Sequence, residues 1–261
     1  MLGLLRTRRW LGFTVTVVLT IIAFGLLSLW QWHRADDKRA QRIELQTAIA
    51  APPAPLGSVT LPPGGTITPR DEWRHVAVAG TYDPASQVLV RKRPLDARNG
   101  FWVMTALREA SGRLVWINRG WLPTAGDALS TPATPPAPSG TVSVSGYLRP
   151  FEDADAHSND GLPAGQVYAP APAALPGDAA EFPGYVQLQE STPAEDGLVA
   201  LPLPEVDESR NVSYAVQWLL FAAVAIGGWF FFLRREAKED AERAAAGAAP
   251  APSTTTSTTT G

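Results

Sequence analysis

The 261-residue chain contains no cysteine, only two methionines and only three histidines. Without cysteine there can be no disulfide, no iron–sulfur cluster, no thiolate zinc site and no cysteine nucleophile. Copper(I) prefers thiolate and thioether ligands, so the composition also argues strongly against a copper chaperone. The histidines, His33, His75 and His157, are too scattered to form a recognisable metal motif. The sequence therefore predicts no metal centre.

Charge patterning and catalytic motifs are equally sparse. The 22 basic and 25 acidic residues give a net charge of −3, and no basic stripe of the kind that binds nucleic acid stands out. The chain has no G-x-S-x-G elbow, no H-E-x-x-H and no P-loop. Nothing supplies a nucleophile with its base, or the paired carboxylates of a hydrolase. We therefore expect neither an enzyme nor a nucleic-acid-binding protein.

Two long runs lack any charged residue, namely residues 10–32 and 212–233. At about 1.5 Å per helical residue, each can cross a hydrocarbon core about 30 Å thick. We predict transmembrane helix 1 over 10–32 and transmembrane helix 2 over 212–233. The first run is longer than a signal-peptide core and no A-x-A-like site follows it, and tryptophan stands at both of its ends. These features favour a retained span over a cleaved signal peptide.

Basic residues around the second run set the predicted orientation. One arginine precedes it and four basic residues follow: Arg234, Arg235, Lys238 and Arg243. By the positive-inside rule, the tails 1–9 and 234–261 are cytoplasmic and the domain 33–211 is extracytoplasmic. The Ala-, Pro- and Thr-rich tail from about Ala237 is expected to be largely disordered. The nine residues before the first span leave no room for a transit peptide, which together with the composition predicts a multi-pass protein of a bacterial plasma membrane.

Between the spans the apolar period changes to two, which is typical of strands. Six short strands are predicted, at residues 73–80, 87–91, 101–107, 113–118, 142–148 and 185–189. The segments 123–139 and 153–184 are rich in Pro, Ala and Gly and are interpreted as surface loops. The predicted fold is a membrane hairpin of two transmembrane helices that flank a mainly β extracytoplasmic domain. Its antiparallel sheet could be a closed barrel or remain open.

Polar and aromatic residues gather where both predicted spans meet the outer interface. Asn211, Tyr214 and Trp218 are spaced i, i+3, i+7, which predicts one helix face. Gln217 lies beside them, about 8 Å inside the span, where an amide among lipid tails should face a partner. Gln31 and Arg34 lie at the same level on the first helix. The cluster suits an amphipathic ligand with a flat apolar body; the alternative is that Tyr and Trp anchor at the headgroups and Gln bridges the helices.

Small residues recur every four positions within both spans, as Gly12, Thr16 and Thr20 and as Ala223 and Gly227. Such ridges let helices approach closely. They could pack the two spans together or against another membrane protein.

Five linear motifs resemble the Surfeit locus protein 1 family, assembly factors for haem–copper cytochrome c oxidase. Residues 30–38 match W-Q-x-x-R-x-x-x-K, and residues 72–82 match E-[YW]-R-x-V-x-x-x-G-x-[YF]. Residues 100–105 match G-[FY]-x-V-x-T. Residues 118–123 match N-R-G-W-[VIL]-P, which is the most specific motif and comprises Asn118, Arg119, Gly120 and Trp121. Residues 214–218 match Y-A-x-Q-W. The five pieces occur in order between residues 29 and 218, with the helices at the right ends.

The resemblance implies that the protein handles haem a transiently. It also implies which residues contact the haem or the oxidase. The expected haem or oxidase contacts are Gln31, Arg34, Tyr214, Gln217 and Trp218. Family members are expected to carry a histidine linked to haem a a few residues before the tyrosine. This chain has Asn211 in that place, and asparagine is not a usual haem ligand. His33 is the substitute candidate for a metal ligand. Arg119 could pair with a carboxylate of its own domain or with a haem propionate.

The resemblance therefore predicts a non-enzymatic biogenesis factor for an aa3-type cytochrome c oxidase, which assists haem a insertion or stabilises the catalytic subunit. Expected partners are that subunit and membrane lipid, with haem a synthase or a respiratory supercomplex as further candidates. One alternative is a permanent accessory subunit of an oxidase supercomplex. A second is an extracytoplasmic enzyme on a membrane hairpin, for which no catalytic constellation is visible.

Overall fold

A computed structural model describes residues 7–59, 65–124, 130–153, 159–176 and 182–247. Within these ranges the chain forms two compact units. The described residues up to Gln41 and from Val206 onward form the helical unit, and those from Arg42 to Glu205 form the β unit. The predicted cytoplasmic residues 1–6 and 248–261, and His157, lie outside the described residues.

Two long helices dominate the first unit. Helix α1 spans Arg8–Ala50 and helix α2 spans Ser209–Gly247. Both are long and apolar enough to cross a membrane, and their apolar stretches are almost wholly exposed. Asp207 caps the start of α2, because its Oδ1 accepts a hydrogen bond of 2.8 Å from the Ser209 backbone N–H. Hydrogen bonds from the Ser209 side chain and backbone hold the pKa of Asp207 below its usual value.

The tail was expected to be largely disordered from about Ala237. Instead, helix α2 continues to Gly247. Helical spacing places Arg235 and Arg243 one turn on either side of Glu239. The Arg235 Nε atom lies 2.9 Å from Glu239 Oε1, and the Arg243 Nη2 atom lies 3.3 Å from Glu239 Oε2. The alanines of this stretch also have the highest helix propensity. Ion pairs at i, i+4 and alanine propensity together extend the helix beyond the apolar run.

Seven strands form the β unit, and five of them close into a barrel. The strands are β1 (Ala54–Pro55), β2 (His75–Val90), β3 (Gly100–Glu109), β4 (Leu114–Pro123), β5 (Thr141–Pro150), β6 (Gln166–Val167) and β7 (Gly184–Thr192). The order β2-β3-β4-β7-β5 returns to β2 through the β2–β5 pairing. The predicted mainly β domain between two apolar helices is thereby confirmed, and the sheet is closed rather than open.

Pairing around the barrel is not wholly antiparallel. Strand β4 runs parallel to β7, with Trp116 opposite Tyr185 and Asn118 opposite Gln187. Short β1 and β6 also lie parallel to β2. The expectation of a purely antiparallel sheet is corrected at these pairings. A parallel pair needs a long crossover connection, and β4 reaches β7 only by way of β5 and the segment that contains β6.

The first two predicted strands are one continuous strand, β2, with an irregularity between Asp83 and Val88. The predicted break between them includes Pro84, which lacks an N–H for the ladder. Instead the Ser86 hydroxyl donates to the Asp83 carbonyl at 2.6 Å and accepts from the Ala106 N–H at 2.8 Å. A side chain thus replaces backbone pairing and lets the strand continue through the irregularity.

Alternate strand residues fill the barrel interior with branched apolar side chains. Val76, Val115, Ile117, Val144 and Val186 are fully buried there. A second cluster around Met104, Trp116 and Tyr185 is covered by the segment 167–175. The last turns of α1, from Arg42 onward, belong to the β unit and pack within it. His75 Nδ1 donates to the Ala51 carbonyl at 2.9 Å, and the Tyr147 hydroxyl donates to the Ile49 carbonyl at 3.4 Å. His75 therefore holds the chain just after α1 ends.

Candidate functional site

Polar side chains join α1 and α2 near the predicted outer interface. The Asn211 amide donates to Gln31 Oε1 at 2.9 Å. One turn further along, the buried Ser28 hydroxyl donates to the Ala215 carbonyl at 2.9 Å. Interhelical hydrogen bonds of this kind stabilise helix pairs in apolar surroundings by about 0.6 kcal/mol on average and up to about 1.7 kcal/mol. The two bonds therefore fix the register of the helices.

Aromatic side chains also pack between α1 and α2. The rings of Trp218 and Phe24 stack with centroids 5.5 Å apart. Nearer the predicted cytoplasmic side, the Trp229 indole N–H donates to Thr14 Oγ1 at 3.1 Å. Two of the five predicted contact residues, Gln31 and Trp218, thus lie between the helices and are engaged within this chain.

The remaining three predicted contact residues face outward. Tyr214 is 45 % exposed, and Gln217 and Arg34 are also exposed. Each residue turns an α-helix by about 100°, so Gln217 lies about 200° from the buried Ala215. Its amide therefore points away from α1, and it makes no hydrogen bond with any other described side chain. The structure divides the predicted cluster into an inner pair and an outer group.

The small residues of the predicted ridges also face outward. An added Cβ at Gly12 or at Gly227 would meet no atom within 4 Å. The Thr16 hydroxyl donates a hydrogen bond to the Gly12 carbonyl of its own helix at 3.0 Å. The close helix approach that these residues permit is not used between α1 and α2. It remains free for a helix of another protein.

These residues do not fit a resident haem. No histidine occurs on α2, and the Asn211 amide at the expected histidine position is engaged by Gln31. His33 is exposed on α1. Among the described residues, no group of three or more His, Cys, Asp or Glu could hold a metal ion. Helix α2 therefore offers no histidine ligand for a haem iron.

The N-R-G-W motif lies in the β unit and is built around a buried arginine. Arg119 is 2 % exposed, and its Nε and Nη2 donate to Glu195 at 2.8 and 2.6 Å. The same guanidinium donates to Gln87 Oε1 at 3.0 Å and to the Pro136 carbonyl at 3.0 Å. Its fifth N–H donates to the Pro135 carbonyl at 3.4 Å. All five guanidinium donors are therefore engaged by described residues, and the pairing within its own domain is the one that the structure shows.

Burial and the nearby negative charge of Glu195 raise the pKa of Tyr82, whose ring lies 5.6 Å from the Arg119 Cζ atom. The tyrosine therefore stays neutral beside the ion pair. Asn118 is 1 % exposed, and its amide has no hydrogen-bond partner among the described residues.

The last two motif residues hold the segment that follows β7. Trp121 exchanges backbone hydrogen bonds of 2.8 and 2.9 Å with Val199. Gly120 has a φ of 148°, and an added Cβ would lie 2.8 Å from the Val199 carbonyl oxygen, so only glycine fits there. The Trp121 indole N–H donates to the Arg93 carbonyl at 2.6 Å. The motif is therefore a structural hub that ties β4 to three surrounding segments.

Sequence reasoning missed the partners of this hub. Glu195 lies 76 positions from Arg119, in a polar segment with no distinguishing pattern. Ser28 was overlooked in the same way, as an unremarkable small residue of an apolar span. A local pattern offers no signal for either, because the partner is fixed only when the barrel closes or the helices pair.

The two units together define a class of protein: a small closed β-barrel carried between two helices that are long and apolar enough to span a membrane. The sequence model of the SURF1 family matches residues 18–223. Proteins named uncharacterized SURF1-like protein, from Mycobacterium bovis and Mycobacterium tuberculosis, are 30 % identical over 228 residues, covering 83 % of this chain and 80 % of the relative. A SURF1-like protein of Rickettsia bellii is 22 % identical over 134 residues, covering 50 % of this chain and 52 % of its own.

The chain belongs to the SURF1 family, which is the Surfeit locus protein 1 family of the resemblance above. The family comprises cytochrome oxidase assembly factors and is not known as a family of enzymes. The match covers the barrel, the N-R-G-W motif and most of both apolar stretches.

Proposed function

We propose that this protein is a biogenesis factor for an aa3-type cytochrome c oxidase in a bacterial plasma membrane. It docks beside the catalytic subunit through the outward face of α2 and assists haem a insertion or stabilises the subunit, without ligating the iron itself. Haem a is a transient cargo in this proposal. The barrel lies on the extracytoplasmic side, and both termini are cytoplasmic.

The observation that carries the proposal is the outward amide of Gln217. An unpaired amide in hydrocarbon is unfavourable, so its retention on the face away from α1 indicates a polar partner outside this chain. Tyr214 lies three residues earlier on the same face and supplies an aromatic ring with a hydroxyl. The exposed glycines of both helices give an adjacent surface where another helix could approach closely.

Deletion of the gene in its native host, followed by complementation, tests this proposal. Loss of haem a absorbance and oxidase activity on deletion, with other cytochromes intact, is expected. Gln217→Leu should restore these signals only in part, because one interhelical hydrogen bond of about 0.6–1.7 kcal/mol is lost. Val216→Leu, at an exposed position about 100° around the helix from Gln217, is the matched control and should complement fully. Normal haem a in the deletion strain would overturn the proposal.

A permanent accessory subunit is the second candidate, and the outward small residues favour it because a close helix contact suits a lasting complex. Purification of mature oxidase distinguishes the two. Stoichiometric retention of this protein supports the accessory subunit, whereas its presence only in immature fractions supports the transient factor.

A further inference from the structure

The connection between β2 and β3 concentrates positive charge on an otherwise acidic domain. From Arg42 to Glu205 there are 17 acidic and 11 basic residues, yet residues 91–98 alone carry four basic residues and one acidic residue. We refer to residues 91–98 as the basic loop. A local field of one sign on a surface of the other sign favours an oppositely charged partner.

An aromatic ring lies beneath each cation of the basic loop. The distances from cation to ring centroid are 4.1 to 5.7 Å for the pairs Arg91–Phe101, Lys92–Tyr168, Arg93–Trp102 and Arg98–Trp121. Cation–π contacts hold long basic side chains in place while leaving their charge at the surface. The positions of these charges are therefore largely set before any partner arrives.

Two of the four cations are already committed to neighbours in the barrel. Arg93 pairs with Glu152 at 2.6 Å, and Arg91 donates to the side chain of Gln166. Lys92 and Arg98 are exposed. These two cations are consequently the ones that the loop presents outward.

The backbone of the loop is strained. Lys92, Asp96 and Ala97 have φ values of 56°, 49° and 58°, and among the described residues only Trp73 shares this feature outside glycine. Leu95 and Arg98 exchange two hydrogen bonds of 2.9 Å around Asp96 and Ala97, which is the geometry of a two-residue turn that favours Asn-Gly. Left-handed alanine is disfavoured, and such strain persists mainly where a site needs a fixed shape.

The basic loop begins directly after Val90, the last residue of β2. Its two outward cations, Lys92 and Arg98, are held by ring contacts and a tight turn. Charges at fixed positions suit the regularly spaced carboxylates of a protein segment better than the mobile headgroups of a lipid surface.

We propose that the basic loop is a docking site for an acidic segment of another protein, whose carboxylates engage Lys92 and Arg98. Exposed carboxylate pairs with the two cations give moderate, salt-sensitive affinity and a fast encounter. The loop thereby contacts its partner independently of the outward face of α2, and the inference does not rest on the proposed oxidase function.

The test uses the full-length protein in nanodiscs of phosphatidylcholine and a fluorescent Glu-rich peptide as the probe. Fluorescence anisotropy should give a Kd about five- to tenfold higher for Lys92→Gln/Arg98→Gln than for the wild type. The Kd of the wild type should rise with salt, and that of the variant should depend on salt less. The matched control is Arg70→Gln/Arg74→Gln, which removes two exposed cations elsewhere on the domain and should leave the Kd within about twofold. Lys92→Arg/Arg98→Lys keeps both charges and should bind like the wild type.

Three results would overturn the inference. Equal weakening in the loop variant and the control would show that only net charge matters. No measurable peptide binding by the wild type would remove the site. Loop-dependent binding to phosphatidylglycerol vesicles, without binding of the peptide, would assign the loop to an anionic lipid surface instead.

Discussion

Removing one partner of the Arg119–Glu195 pair should destabilise the barrel severely. Arg119→Met leaves the Glu195 carboxylate, whose side chain is 9 % exposed, without its guanidinium. It also leaves the Gln87 oxygen and the Pro136 carbonyl without their donor. Breaking a buried pair from one side costs about 3–5 kcal/mol. In a domain of this size each kcal/mol lowers Tm by about 2–4 °C, so a fall of about 10 °C is expected.

The double variant Arg119→Met/Glu195→Leu separates burial of an unpaired charge from loss of the pair itself. With no ion left to bury, it should recover much of the stability lost in the single variant. Thermal unfolding of the full-length protein, followed by circular dichroism in the β region, measures both. Arg108→Gln is a suitable control, because among the described residues its exposed side chain bonds only the nearby Gly112 carbonyl. A single variant as stable as wild type, or a double variant no better than the single, would refute this reasoning.

Three further predictions concern other sites. Burial raises the pKa of Tyr185 to about 12, so between about pH 10 and 12 the folded state keeps a proton that the unfolded state has lost. The contribution of Tyr185 to the free energy of unfolding is therefore complete below about pH 10 and is lost as the pH rises toward 12. Tyr185→Phe should flatten the alkaline limb of Tm against pH. Gly120→Ala should lower Tm more than Gly112→Ala, since only the first Cβ meets a neighbouring backbone within 3 Å; equal effects would contradict the close approach to Val199. A double-mutant cycle of Gln31→Leu and Asn211→Leu, measured by unfolding in detergent, should give a coupling of about 0.6–1.7 kcal/mol, whereas additivity would show that the hydrogen bond contributes nothing.

Local sequence patterns predicted most of the helices and strands, but they did not predict that the strands close into a barrel. The charge-free runs and the alternating apolar residues locate both helices and the main strands, because these signals depend on neighbours in sequence. The parallel pairing of Trp116 with Tyr185 joins residues far apart in the chain. Such a pairing depends on how the whole sheet curls, which no local period encodes. The continuation of β2 past Pro84 was missed because Ser86 replaces the expected backbone pairing by a side-chain bond.

The same distinction explains the candidate site. Spacing of i, i+3, i+7 placed Asn211, Tyr214 and Trp218 on one broad face, but the position of α1 decides which edge of that face is covered. Asn211 and Trp218 contact α1, whereas Tyr214 lies beyond the contact and is exposed. A helical pattern gives the angle between side chains and not the direction from which a second helix approaches.

Asn211 bears both on haem binding and on the pairing of the two helices. It occupies the position where the family resemblance leads one to expect a histidine, and its amide is bonded to Gln31 of the other helix. A side chain that holds the helices together serves the site through geometry, since the bond fixes the rotation of α2 and so directs Gln217 away from α1. The polar group that faces outward then becomes the natural point of contact with a partner. The proposed function therefore assigns Asn211 a role in orienting the outward face of α2, and it rests on protein contact and not on iron ligation.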